Sequence, residues 1–348
     1  MKTVGFFGGK FLPLHQGHVL AIIEASSTVD ELYIIFSHSE ERDRKTCEKT
    51  DFSYIPARVR LRWLHQLTKD MENVHVLSIE DNGGEDEYDW ELGAKKIKQA
   101  IGKPITHVFS SEKDYDDIFQ LLYKDSNHIL IDPDRIMMPV SATKIRTEGV
   151  YANWNFIPKV VQPFFVKKVA ILGTESCGKS TLTRNLAALY NTTFVEEYGR
   201  TLCEEIGGCE GIILEEDFPL IAYGHKMKEH QSQLAANKIM FIDTEATVTQ
   251  FYSELYLHQH QKVIDEIAKT QQYDLCLYLE PDVKWVNDGL RKHGEPSIRS
   301  ENDKRLKELL KQNNTPYLVI TGTYQEKLKK AMNAINELLG VGTHETVR

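Results

Sequence analysis

The sequence predicts an α/β protein of two domains, each built on a mainly parallel sheet. Three observations carry this. The chain has 348 residues, more than one hydrophobic core ordinarily serves. Short β-rich runs alternate with helix-period segments, and the alternation stops and restarts near mid-chain. A glycine-containing loop of phosphate-binding type follows the first strand of each series, where such a strand hands over to a helix.

In the first series, Thr3–Phe7, Glu31–Phe36, Val74–Ile79, His107–Ser110 and His128–Ile131 read as strands. His18–Ser26, Pro56–Asp70, Trp90–Ile101 and Tyr115–Lys124 read as the helices between them. Apolar strands separated by helices imply a sheet covered on both faces. Trp154–Phe165 contains Pro158 and Pro163, lacks a strong period and reads as a connector. The second series opens with Lys168–Leu172 and a helix over Thr181–Leu189. Its further strands are Thr193–Glu196, Ile239–Asp243, Leu275–Leu279 and Tyr317–Thr321. Charged Asn302–Gln312 reads as a solvated surface helix, and Gly342–Arg348 as a frayed tail. The expected domains are therefore 1–157 and 158–340, followed by a tail at 341–348.

Hydrophobic residues at 41% and charged residues at 27% are ordinary for a globular chain. A net charge of −9 argues against a general nucleic-acid binder, which needs a basic face. The cysteines Cys47, Cys177, Cys203, Cys209 and Cys276 form no C-x-x-C pair. Their pattern predicts free thiols in a reducing compartment. Met1-Lys2-Thr3 runs straight into Val4–Gly9 with no secretory signal, and no apolar run is long enough to span a bilayer. A cytoplasmic location without membrane insertion is expected, and a homo-oligomer is compatible with the chain.

The first candidate site begins at Gly8-Gly9-Lys10 and ends at His15-Gln16-Gly17-His18. Glycines let the backbone approach a ligand, and the following helix start favours anions. His15 and His18 can both face a triphosphate as hydrogen-bond donors, with Lys10 adding fixed positive charge. Farther on, Ser141-Ala142-Thr143-Lys144-Ile145-Arg146 follows the strand-end segment Asp132-Pro133-Asp134-Arg135. Ser141, Thr143 and Arg146 would bind β- and γ-phosphate oxygens at another helix start. Such a site works by positioning and electrostatics: a phosphate oxygen attacks the ATP α-phosphorus in line and pyrophosphate leaves. Asp81-Asn82-Gly83-Gly84 and Tyr88-Asp89-Trp90 suggest the acceptor, since Trp90 could stack on a cationic pyridinium ring. Trp90 could equally pack the next helix.

The second candidate site is Gly173-Thr174-Glu175-Ser176-Cys177-Gly178-Lys179-Ser180, a G-x-x-x-x-G-K-S loop running into Thr181 between strand and helix. Its backbone N–H groups would cradle phosphates, Lys179 would reach the β/γ oxygens, and Ser180 would ligate Mg²⁺. Glu197, in Glu196-Glu197-Tyr198-Gly199-Arg200, and Asp243, in Asp243-Thr244-Glu245, follow strands beside it. Either acid could orient an acceptor hydroxyl or hold Mg²⁺. Asn287–Arg291, with Arg299 beyond, reads as a lid whose arginines close on the phosphoryl group, with a plain surface loop as the competing reading. Gly322-Thr323-Tyr324 suits either an adenine-facing loop or an ordinary turn. His258-Gln259-His260, His225 and His230 read as surface helix positions rather than metal ligands. Cys203 and Cys209 read as ordinary thiols.

Gly8–His18 with Ser141–Arg146 resembles the H-x-G-H and I-S-S-T-x-x-R signatures of the nucleotidyltransferase superfamily, Ala142 replacing the second serine. The whole chain from Val4 to about Leu339 resembles the bifunctional nicotinamide-mononucleotide adenylyltransferase / ribosylnicotinamide kinase family. The telling residues are Gly8–His18, Phe109–Glu112, Pro139–Arg146, Gly173–Ser180, Glu197–Arg200, Asp243–Glu245 and Asp288–Arg291. The resemblance implies a Rossmann-like nucleotidyltransferase domain followed by a P-loop kinase domain. It implies ATP, nicotinamide riboside, nicotinamide mononucleotide and NAD as ligands, with Mg²⁺ accompanying ATP. Trp90, Asn82, Ser110, Ser111 and Glu112 would then surround the nicotinamide nucleotide, and Glu197, Asp243 and Thr244 the riboside. Two departures stand out. Some members begin with a helix-turn-helix repressor domain, whereas here the first strand starts at Thr3, so DNA binding is not expected. Glu245 stands where aspartate is expected. Another phosphorylated metabolite as acceptor, or an ATP- or NAD-sensing binding protein, remain the competing readings.

Overall fold

The computed structural model describes residues 2–81, 88–209, 211–283 and 295–340. The chain divides into two compact units, Met1–Gln162 and Pro163–Arg348. In the first, the strands are β1 (Val4–Gly9), β2 (Glu31–His38), β3 (Val74–Glu80), β4 (His107–Ser110) and β5 (Asn127–Leu130). They form one parallel sheet in the order β3-β2-β1-β4-β5. The helices are α1 (Gln16–Thr28), α2 (Glu40–Glu48), α3 (Ala57–Thr68), α4 (Trp90–Ile101), α5 (Asp116–Leu122) and α6 (Ala142–Glu148). The winding reverses around β1, so a crevice opens past its carboxyl end. That end carries Gly8 and Gly9.

The sheet is apolar on both faces because helices cover both. Phe6, Tyr33, Ile35 and Val108 pack with Ala94, Ile97 and Ile101 of α4 in one core cluster. Helix α4 is held at both ends: Asp89 accepts from Leu92 N–H, and Gly102 ends it in the left-handed region. Helix α2 has no counterpart in the sequence reading. Its sequence EERDRKTCE offers no apolar stripe; it is held instead by a charge. Asp43 and Arg60 are both fully buried, paired at 2.6 Å. Arg60 also donates to the Lys10 carbonyl at 2.7 Å, and Lys10 Nζ lies 3.2 Å from Asp43. The pair thus ties α2 and α3 to the loop after β1.

Past α6, the expected connector is well packed: Trp154, Ile157 and Val161 are buried, followed by the short helix α7 (Gln162–Phe165). The second unit has strands β6 (Lys167–Leu172), β7 (Phe194–Val195), β8 (Ile239–Asp243), β9 (Leu275–Leu279) and β10 (Leu318–Ile320). All are parallel, in the order β10-β9-β6-β8-β7. The first strand is again central. Its helices are α8 (Lys179–Leu189), α9 (Tyr198–Ile206), α10 (Asp217–Ala235), α11 (Ala246–Leu257), α12 (Lys262–Lys269), α13 (Pro296–Gln312) and α14 (Tyr324–Leu338). Helix α13, expected as a solvated element, buries Leu306, Leu309 and Leu310 against Leu172, Phe251 and Tyr278. Buried Asp303 accepts from the Tyr278 hydroxyl at 2.7 Å, and the other charges of the helix are exposed or half-buried. Among the described residues no helix is long and apolar enough to cross a membrane.

Asp43→Ala should destabilise the first unit by about 3 kcal/mol or more, because it strands a buried guanidinium. Urea denaturation checks this; a loss below about 1 kcal/mol would show the pair to be dispensable.

Candidate active sites

In the first unit, β1 delivers the chain into a loop that closes at His15, the residue preceding α1. The backbone N–H of His15 donates to His18 Nδ1 at 3.3 Å. A neutral His18 therefore carries its proton on Nε2. The two imidazoles stack at 3.7 Å, and Phe11 meets His18 edge-on at 4.9 Å. Burial, aided by Arg135 and Arg146, lowers His15 from 6.5 to about 3. Burial and the neighbouring His15 likewise hold His18 well below its ordinary value. The rings are thus neutral donors at physiological pH.

Gly8, Gly9, Lys10, His15, His18, Ser141 and Thr143 line a single cavity of about 410 Å³ with Trp90, Ser110, Ser111 and Glu112. All these residues were named from sequence. Arg146 is turned from that role in this state: it donates to the Leu12 carbonyl at 2.6 Å and to Thr143 Oγ1 at 3.0 Å. Ser141 caps α6 by accepting from Lys144 N–H at 3.0 Å. Asn82 lies outside the described residues.

Tyr88, part of the segment expected near the acceptor, lines the same cavity, and so do Tyr115, Phe119 and Arg135, which sequence reasoning missed. Trp90 meets Tyr88, Tyr115 and Phe119 edge-on at 4.9, 5.0 and 5.8 Å. Tyr88 and Trp90 come from one segment and Tyr115 and Phe119 from another, so no local spacing joins the two pairs. Arg135, at a φ of +51°, pairs with Glu112 at 2.5 Å. Its loop is shaped by Asp132, whose carboxylate accepts from Ile136, Met137 and Met138 N–H.

In the second unit, Gly173–Gly178 arches from β6 to α8. Gly173 and Gly178 sit at φ of +141° and +95°. A Cβ on Gly173 would lie 2.7 Å from the Leu279 carbonyl oxygen. Only glycine fits there. Lys179 is buried and donates to the Thr174 carbonyl at 3.0 Å. Buried Lys327, a residue the motif does not flag, donates to the Cys177 and Glu280 carbonyls and pairs with Asp282. It clamps the loop to the end of β9.

Lys179, Glu175, Glu197, Arg200 and Thr244 line a cavity beside this loop, together with Tyr198, Phe218, Tyr252 and Tyr256. Asp243 lies behind it, hydrogen-bonded to Ser180; burial and then the Glu197 carboxylate push Asp243 up to about 6. Asp243 Oδ1 is buried with no hydrogen-bond partner. A buried anionic oxygen beside a P-loop hydroxyl fits a hydrated divalent cation. Thr181 is part of α8. Arg291 and the rest of Asn287–Arg291 lie outside the described residues, while Arg299 belongs to α13 and donates to the Val283 carbonyl.

Two expectations need correction. Cys203 and Cys209 are joined by a disulfide, their Cα atoms 5.2 Å apart. Gly207 and Gly208, at φ of +86° and +147°, turn the chain back at the end of α9 and bring the two positions together. The free-thiol reading therefore holds only for Cys47, Cys177 and Cys276. His225 is a buried cavity residue, not a surface one: its Nε2 lies 3.1 Å from the Thr244 carbonyl. That contact supports Thr244 at a φ of +81°, an unusual conformation for a β-branched residue. His258 and His260 are exposed, as expected, and His260 bridges Glu254 and Asp265 at 2.7 Å each. Glu245 is an N-cap, accepting from Thr247 and Val248 N–H, and burial pushes it up to about 7. Thr323 and Glu326 form a reciprocal cap for α14.

A cytidylyltransferase-like family model matches residues 6–148, and an AAA-domain model matches residues 168–327. The trifunctional NAD biosynthesis/regulator protein NadR of Escherichia coli (strain K12) is 35% identical over 347 residues, covering 97% of this chain and 84% of that protein. The chain belongs to the NadR family. A NadR protein crystallised in complex with NR is 25% identical at a TM-score of 0.81, covering 100% of this chain and 99% of that one. A NadR protein in complex with NAD and AMP-PNP shares the fold at a TM-score of 0.79 and 24% identity, with the same coverage. Within the NadR fold, both cavities open at the carboxyl ends of a central first strand.

Because His15 is held neutral by burial, the folded state binds its proton less readily than the unfolded chain. Its contribution to stability is complete above about 6.5 and is lost as pH falls from there toward about 3. The ligand-free protein should therefore lose stability below pH 6.5, by up to about 1.4 kcal/mol per pH unit from this group. His15→Asn should flatten that slope in denaturation curves; an unchanged slope would contradict the assignment.

Proposed function

We propose that the second unit phosphorylates nicotinamide riboside with ATP and that the first joins the resulting mononucleotide to the adenylyl group of a second ATP. The products are NAD and pyrophosphate. One observation carries the reading: the first cavity joins neutral histidines, a lysine and a helix start to an aromatic wall containing Trp90. Phosphate and pyridinium ring therefore each find a matching surface in one space. The relatives agree with it: one is an NAD biosynthesis/regulator protein and another was crystallised in complex with NR.

In the first unit, His15 and His18 donate to oxygens on which charge develops as the mononucleotide phosphate attacks the α-phosphorus. Lys10 adds positive charge, while its tie to Asp43 and Arg60 sets where that charge sits. Gly8, Gly9, Ser141 and Thr143 hold the triphosphate, and Arg146 swings from Leu12 toward it. Trp90, with Ser110, Ser111 and Glu112, holds the nicotinamide nucleotide.

In the second unit, Lys179 reaches the β- and γ-phosphates as the loop N–H groups cradle them. Glu197 faces the acceptor cavity and orients the riboside hydroxyl; Thr244 lines the same wall. Ser180 and Asp243 would hold Mg²⁺, which when bound would supply neutralising charge for the phosphates.

His18→Ala should lower NAD formation at least about 100-fold while sparing phosphorylation of the riboside. Lys179→Ala should do the reverse when mononucleotide is supplied. Chromatographic product analysis checks both. Loss of both activities in either folded variant would refute two independent sites.

A further inference from the structure

Behind the aromatic wall of the first cavity lies a three-residue chain that the adenylyl transfer does not require. Ser110 ends β4, and its β5 partner is Leu130. His128 is two positions from Leu130 and shares its face of the sheet. Ser110 Oγ is 2.8 Å from His128 Nε2, and His128 Nδ1 is 2.7 Å from Asp116 Oδ1. Asp116 opens α5 and also accepts from Gln120 at 2.9 Å. Ser110 and the His128 side chain are buried; Asp116 is half-exposed. The His128 ring meets Phe119 edge-on at 5.1 Å, and Phe119 in turn meets Trp90. The serine therefore sits beside the wall assigned to the pyridine ring, and it lines the cavity.

Serine, histidine and aspartate in this order also form the nucleophile relay of hydrolases. Here the serine ends a regular strand instead of projecting from a strained turn. A different consequence follows from counting protons. With His128 neutral, Nδ1–H donates to Asp116, so Nε2 accepts the Ser110 hydroxyl proton. With His128 charged, both nitrogens donate, and the Ser110 proton turns to the Glu112 carbonyl, 3.3 Å away. In either state the single proton of Ser110 is used inside the protein, and the cavity meets only its lone pairs.

We propose that Ser110, oriented by His128 and Asp116, is a fixed hydrogen-bond acceptor that selects a pyridine carboxamide over the corresponding carboxylate. The carboxamide brings an NH₂ donor to that oxygen. A carboxylate brings only lone pairs, and it would approach with the Asp116 charge behind the relay. His128 and Asp116 are positioning residues; Ser110 makes the contact. This inference rests on the proposed adenylylation of a nicotinamide mononucleotide in this cavity.

The test compares kcat/KM for nicotinamide mononucleotide and nicotinate mononucleotide at saturating ATP. The unaltered protein should favour the carboxamide. Ser110→Ala should reduce that preference about tenfold, chiefly through KM for the carboxamide substrate. Asp116→Asn, at a half-exposed position that leaves the core intact, should reduce it about threefold by releasing the tautomer. Ser110→Thr retains the hydroxyl and should keep most of the preference. Folding of each variant is verified by its thermal melt. A Ser110→Ala ratio within twofold of the unaltered protein would overturn the inference. So would equal losses in Ser110→Thr and Ser110→Ala. An unaltered protein that adenylylates neither mononucleotide would instead overturn the proposed function.

Discussion

A helix leaves the backbone N–H groups of its first turn without partners inside the helix, and both candidate sites are built on that deficit. In each unit the first strand is central, so the loop after it opens at the reversal of winding and points these donors into a crevice. Donors fixed by the backbone need no reorganisation when a phosphate arrives. The surroundings serve to keep the two loops in place. Arg60 and Asp43 anchor the loop before α1, and Lys327 anchors the loop before α8. The two anchors differ in chemistry but share a design: a buried cation donating to a loop carbonyl.

The two sites then diverge in charge. The adenylylation cavity keeps its histidines neutral by burial and by nearby arginines. Neutral rings donate hydrogen bonds without a fixed charge that would hold the ground-state triphosphate as tightly as the transition state. The phosphorylation cavity instead sets a buried carboxylate against a buried lysine. Asp243 is raised by its burial and by Glu197, while Lys179 and Ser180 oppose that shift. Such an oxygen, left without a hydrogen-bond partner, suits a site completed by a cation.

Much of this was legible in the sequence because it is written locally. Gly8–His18, Ser141–Arg146 and Gly173–Ser180 are contiguous, and the apolar strands announce themselves by composition. What escaped is written across distance. Helix α2 is mostly charged and is tied to the fold by Asp43 meeting Arg60, a partner 17 residues away. Ser110, Asp116 and His128 become a chain only when β4, α5 and β5 are brought together. His225 looks like any helical histidine until α10 packs it beneath Thr244. The Cys203–Cys209 disulfide depends on a two-glycine reversal that a cysteine count does not reveal. Glu245, which stands where aspartate was expected, caps a helix with its carboxylate.

In the proposed function the later motif of the chain acts first. In the proposed order, the loop at Gly173–Ser180 makes a phosphate monoester, and the loop ending at His15–His18 uses that phosphate as a nucleophile. The most direct measurement follows the label from γ-³²P-ATP into product with nicotinamide riboside as the sole pyridine substrate. The account predicts that NAD retains one γ-derived phosphate per molecule, because the transferred phosphoryl group becomes half of the NAD pyrophosphate bridge. NAD formed without that label would contradict it.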